Sequence, residues 1–263
     1  VYFTVRTRFP QVRLFKRACG SVMEKPEDKK AISSFQALMV STASRVGTGN
    51  IVGVSSAICI GGFGSVFWMW MIAAIGAASA FVESALGQAY KVKNPDGEFS
   101  GGPAYYIEKG LKCKPYAILF AIVAFLGPGF LMPGVQINSL VTVFEEAFSV
   151  NKILVGAICC VILGIVVYGS IKRIAQIAEL LAPAMCAVYI LVAVVILGLN
   201  ITKLPGILEM IIQSAFGVHA VLGGIVGSAV SWGVKRGIYS NEAGMGCGAI
   251  VSAAAECSHP AKQ

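Results

Sequence analysis

Charged residues are missing from long stretches of this chain, and the positions within those stretches are almost all apolar. Such windows cover 46–82, 115–142, 153–171, 180–202 and 210–234, and the first divides at Gly61-Gly62-Phe63-Gly64 into two segments. A helix needs about 20 apolar residues to cross a bilayer core of roughly 30 Å. The first segment is expected to begin earlier, near Ser33, which places Arg45 inside it. The pattern therefore predicts an all-α, polytopic membrane protein with six spans. The third span carries Gly127-Pro128-Gly129 and Pro133-Gly134 and is expected to kink or tilt.

Two spans contain residues that weaken a helix. In the run ASRVGTGNIVG, residues 43–53, Gly47, Thr48, Gly49 and Asn50 fall together where a membrane helix favours Leu or Ala. Glycine costs about 1 kcal/mol per helical position relative to Ala, and polar groups add to that cost in hydrocarbon. Irregular backbone at membrane depth persists only where protein buries it or where it lines a polar cavity. The freed carbonyls can coordinate a cation, and the N–H groups that open the second half-helix can hold a carboxylate. Gly47, Thr48 and Asn50 are the candidate cation ligands. At 1.5 Å per residue Thr48 lies about 21 Å along the helix from Ser34, near the bilayer midplane. Close helix packing is the alternative use of such glycines and is accepted here for Gly53 and Gly61. It does not account for Asn50. The sixth span, VHAVLGGIVGSAVSWGV, places Gly223, Gly224 and Gly227 at mid-helix. Inverted repeats of five plus five helices interrupt helices one and six in matching positions, so this span is expected to break there.

Composition agrees with the pattern. The chain is 56% hydrophobic and 13% charged, with mean hydropathy +0.76, against about 25% charged residues in soluble domains. The net charge of +8 would point to nucleic acid in a soluble protein. Here its placement reports orientation instead. Arg6 to Lys30, Lys91 to Lys114, Lys172, Arg173, Lys235 and Arg236 fall on one side of the six spans, and only Lys152 and Lys203 on the other. By the positive-inside rule, residues 1–32 face the cytoplasm of a cell-membrane protein. Residues 10–30 form a basic connection suited to anionic head groups. Residues 1–9 are read as the tail of an earlier span, and AAAECSHPAKQ as the start of another helix. The eight cysteines show no C-x-x-C spacing and are read as packing residues. His219 and His259 are far apart, so no metal site is expected. No nucleophile, base or metal constellation indicates an enzyme.

The stretches ASRVGTGNIVGV, GSVFWMWMIAAIGAASAFVESALGQAYK, GEFSGGPAYYIEKGL, GVQINS and GVKRGIYSNEAGMG closely resemble the alanine/glycine:cation symporter family, the sodium:alanine symporters. The resemblance covers nearly the whole chain. It implies the five-plus-five inverted-repeat fold of the leucine-transporter type, preceded by one extra helix. Residues 1–32 would then be the end of that helix and a cytoplasmic connection, and 33–263 the first repeat plus the first span of the second. Family members are considerably longer, so this portion is not expected to transport alone. Thr48, Gly49 and Asn50 match the family's unwound region facing substrate and Na⁺, and Gln136 matches a glutamine that contacts the amino acid. With Gly224 and Gly227 they form the candidate substrate site. The implied activity is Na⁺-coupled uptake of a small neutral amino acid, alanine or glycine, with no cofactor beyond Na⁺ and no nucleic-acid partner.

Several polar residues keep a second reading. Gln136 is about 13 Å from the outer charge layer at Glu145, and an amide at that depth needs a partner, ligand or neighbouring helix. Glu83 could be a proton site, but a structural partner such as Arg45 or a backbone group is favoured. The GGPAYYIEKG loop and SNEAG, with Glu242, are read as cytoplasmic gating or fold elements outside the substrate pocket. An ion channel or an amino-acid sensor built on the same broken-helix core is the alternative function.

Overall fold

A computed structural model of the chain describes residues 1–22, 32–168, 170–217 and 223–263. Lys25, Lys29 and Lys30 of the basic connection, and His219, lie outside them. Three short helices come first, α1 (Tyr2–Arg6), α2 (Pro10–Arg13) and α3 (Phe15–Ser21). Helix α4 (Ser34–Arg45) begins with a capping box, in which the Gln36 N–H donates to Ser33 Oγ and the Ser33 N–H to Gln36 Oε1, both at 3.1 Å. These bonds satisfy two of the donors that every helix start leaves open. The chain then passes through Val46 and an extended Gly47 before α5 (Thr48–Gly61) restarts.

After Gly62, whose φ of +78° glycine tolerates, α6 (Gly64–Ala89) runs 26 residues. A two-stranded antiparallel hairpin, β1 (Val92–Lys93) and β2 (Phe99–Ser100), leads to α7 (Pro103–Gly110). Helix α8 (Lys114–Ala124) continues through a π-helical segment, Phe125–Leu131, into α9 (Met132–Phe148). Pro128 lies within that segment, and the wider turn accommodates a residue that cannot donate an amide bond. Then follow α10 (Lys152–Val167), α11 (Ser170–Leu199), a 3₁₀ turn at Ile201–Lys203, α12 (Leu204–Phe216), α13 (Gly223–Asn241) and α14 (Cys247–Ala254).

Among the described residues, three helices are long and apolar enough to cross a membrane, Gly64–Ala89, Lys114–Phe148 and Lys172–Leu199, and Lys152–Val167 is a shorter apolar helix. Their side chains face outward: Val161 is 63% and Leu191 64% exposed. Exposed apolar surface of that extent suits a membrane-embedded protein. Cys59 and Cys160, expected as packing residues, are also exposed, because their helices turn those positions outward.

The interior is built instead from small residues. Gly233 and Gly237 of α13 lie against Ser65, Trp68, Met69 and Ile72 of α6, and Gly61 packs on Trp232. This is the close approach that small-xxx-small spacing permits, and it supports the packing reading of Gly61. Ile32, Ala37, Ala175, Ala254 and Ala255 form a second buried cluster that ties α4 to α11 and to the end of α14.

Two sequence expectations change. Helix α13 is continuous from Gly223 to Asn241, so no interruption falls at Gly227, whereas Gly223 and Gly224 adjoin 218–222, which lie outside the described residues. An interruption comes later, at 242–246, where α13 stops and α14 restarts. Lys235 and Arg236, read as loop residues, are therefore helical, their charges 5.7 and 5.5 Å from the Trp232 ring, which provides a cation–π partner.

Candidate functional site

The two interruptions face each other. At the first, Thr48 opens α5 with no capping side chain from its own segment. Gln136 of α9 supplies one instead: its Oε1 accepts from the Thr48 N–H at 3.1 Å and from the Thr48 hydroxyl at 2.6 Å. The positive end of a helix thus holds a neutral carbonyl oxygen where a carboxylate oxygen would bind more strongly. Gly47 lets Gln136 in. A Cβ there would sit 2.7 Å from Gln136 Nε2.

Asn50 fastens the gap. Its Nδ2 donates to the Arg45 carbonyl at 2.6 Å, its N–H donates to the Gly47 carbonyl at 3.0 Å, and its Oδ1 accepts a short bond from the Ser240 hydroxyl of α13. Across from Gly49 stands the Tyr239 ring, 2.8 Å from where a Cβ would be. The Tyr239 hydroxyl is buried and has no hydrogen-bond partner among the described residues. A buried unpaired polar atom costs about 1–3 kcal/mol, so this oxygen marks a position a ligand could complete.

The second interruption is held by two carboxylates. Buried Glu83 of α6 accepts from the Gly244 N–H at 2.7 Å and the Gly246 N–H at 2.6 Å. Both glycines are left-handed, with φ of +90° and +95°. Glu242 accepts from the Ser44 hydroxyl at 3.0 Å, joining this break to the end of α4.

Of the residues singled out from sequence, Gly47, Thr48, Gly49, Asn50 and Gln136 converge. Gly224 and Gly227 do not. Gly227 is exposed with nothing within 4 Å of a Cβ, and it is about 18 Å along the axis from Tyr239. Helix α13 reaches the site with its other end. SNEAG, with Glu242, is expected as a cytoplasmic gating or fold element outside the pocket; in the structure Ser240 and Glu242, with Tyr239, lie beside the first break, and Asn241, Gly244 and Gly246 repeat the Gly and Asn punctuation of GTGN. Glu83 binds backbone, one of the two structural partners left open for it.

The end of α6, with Lys91 just beyond it, braces α14. Gln88 Nε2 donates to the Ser252 and Ala255 carbonyls, and Lys91 Nζ to Ala255 at 2.7 Å. Burial holds the Lys91 ammonium below its ordinary pKa. Burial first, then the nearby Glu83 charge, pushes the Tyr106 phenol up to about 12.

A family model described as the sodium:alanine symporter family matches residues 1–263. The chain is 51% identical over 261 residues to YrbD of Bacillus subtilis (strain 168), covering 99% of this chain and 54% of that protein. It is 44% identical over 236 residues to the sodium/proton-dependent alanine carrier protein of Bacillus sp. (strain PS3), covering 88% of this chain and 52% of that protein. It is 38% identical over 271 residues to the sodium/alanine symporter AgcS of Methanococcus maripaludis, covering 100% of this chain and 60% of that protein. The chain spans about half the length of the curated relatives it matches.

Proposed function

The chain belongs to the sodium:alanine symporter family, and from that premise we propose that the protein in its full length couples Na⁺ entry to uptake of a small neutral amino acid, alanine or glycine. Transport proceeds by alternating access in the plasma membrane, with residues 1–32 on the cytoplasmic side and a five-plus-five inverted-repeat core. Na⁺ is the coupling ion and no cofactor takes part. The observation that carries this reading is the Gln136 carbonyl resting on the open N-terminus of α5. An amino acid's carboxylate replaces it there, with Gly49 and Asn50 beside it, while Gly47, Thr48 and Asn50 offer oxygens to Na⁺. From α13, Tyr239 and Ser240 add their hydroxyls beside this site. The driving force is sufficient: one Na⁺ crossing 100 mV releases about 2.3 kcal/mol, and a tenfold gradient adds about 1.4 kcal/mol.

Radiolabelled alanine uptake by the full-length protein in proteoliposomes tests the proposal. Uptake against a gradient is expected with Na⁺ outside, and none when choline replaces Na⁺ at constant pH. Equal uptake in choline would overturn Na⁺ coupling, and flux that only dissipates a gradient would indicate a channel.

A further inference from the structure

Ser240 ends a face of α13 that packs along α5. Ser228, Trp232, Arg236 and Ser240 recur every four residues, a spacing that keeps them on one side of the helix. Ser228 Oγ donates to the Ile60 carbonyl at 3.3 Å. A Cβ on Gly61 would meet Trp232, and one on Gly53 would lie 3.6 Å from the Arg236 stem. The two helices therefore run antiparallel and in step from Ile60 to Asn50. Gly233 and Gly237 set the neighbouring face of α13 on α6. Packing on two sides thus delivers Ser240 to the α4–α5 break.

There it meets the Asn50 side chain, which is held at both ends. The Arg45 carbonyl can only accept, so it selects the NH₂ end of the amide, Nδ2 donating at 2.6 Å. That turns Oδ1 toward α13, where the Ser240 hydroxyl donates to it. An amide oxygen has two lone pairs, and the Ser240 proton uses one. The other can face a cation. Without the hydroxyl the amide keeps only its Arg45 anchor, and its oxygen can swing about the broad terminal torsion of asparagine. Partners behind a metal ligand fix its orientation, and losing them costs affinity for the ion.

We propose that Ser240 is a positioning residue for the coupling ion: through the Asn50 amide oxygen it sets Na⁺ affinity, and so ties Na⁺ binding at the α4–α5 break to the placement of α13. The inference rests on the symport reading above and adds to it a residue that acts through Asn50 on the ion.

Full-length wild type, Ser240→Ala and Ser240→Thr in proteoliposomes test it, with the Na⁺ half-saturation of alanine uptake measured beside alanine KM at saturating Na⁺. For Ser240→Ala the Na⁺ half-saturation is expected to rise about fivefold, the worth of one neutral hydrogen bond, with a clearly smaller change in alanine KM. Ser240→Thr keeps the hydroxyl and should lie within about twofold of wild type. Should Ser240→Ala fail to fold, Ser240→Cys supplies the readout, since its thiol has a similar shape but is a weak donor, and a smaller rise in the same direction is expected. An unchanged Na⁺ half-saturation overturns the proposal. So does a lower one, which would make the hydroxyl a competitor of the ion, an equal rise in both parameters, which a packing role would give, or a Ser240→Thr no better than Ser240→Ala. Those results would leave Na⁺-dependent uptake intact, whereas wild-type protein without such uptake would overturn the symport reading itself.

Discussion

Gln136 and Thr48 are 88 residues apart in sequence, yet the Gln136 carbonyl oxygen lies 2.6 Å from the Thr48 hydroxyl and 3.1 Å from the Thr48 N–H. The contact depends on the absence of a side chain at Gly47, since a Cβ would meet the flexible end of Gln136 at 2.7 Å. Gly47→Ala is therefore expected to fold, with the glutamine displaced, and to lose about tenfold or more in alanine affinity, the worth of one charge-assisted bond. Equilibrium binding and a thermal melt on the same sample check this. An unfolded variant would show that the contact is structural.

Glu83 accepts the amides of two left-handed glycines at the second break. Replacing it with Ala leaves two buried N–H groups unpaired, a loss of about 2–5 kcal/mol. Glu83→Gln retains an acceptor and a similar shape, so its loss should be smaller. If the two variants melt together at the wild-type temperature, the carboxylate does not hold the 242–246 turn.

The orphaned hydroxyl of Tyr239 predicts that Tyr239→Phe leaves stability unchanged or slightly improved, because a buried unpaired group is removed. Ligand affinity should fall by about three- to tenfold if that oxygen completes the site. Paired melting and binding curves distinguish this from a packing role, which would leave affinity alone.

The raised pKa of Tyr106 has a defined direction. Because the folded protein favours the neutral phenol, its contribution is complete below pH 10 and is lost as pH rises toward about 12. Tyr106→Phe should show a shallower fall in stability across that window. Matching pH profiles for the two proteins would contradict the burial of the Tyr106 phenol.

The parts of this architecture written in neighbouring residues could be read from the chain. Ser33 and Gln36 announce the start of α4, and GTGN marks its end, because caps and helix breaks are local chemistry. The depth of Gln136 showed that it needed a partner, but Thr48 could not be chosen without the packing of α9 against α5. The second break was displaced for a different reason. Gly227 resembles a breaker, but the helix tolerates it, whereas Asn241 through Gly246 combine helix-stopping residues with the left-handed turns that Gly244 and Gly246 provide. Lys235 and Arg236 reinforced the error, since the nearby Trp232 ring lets both charges remain within a helix that seemed to end before them.

Titration calorimetry of the full-length protein is the most direct measurement, with Na⁺ and alanine added in either order to wild type, Thr48→Val and Gln136→Leu. Wild type should bind alanine at least tenfold more tightly with Na⁺ present, and both variants should lose most of that coupling while melting within a few degrees of wild type. Undiminished Na⁺-dependent alanine binding in both variants would contradict the assignment of the α4–α5 break as the shared site.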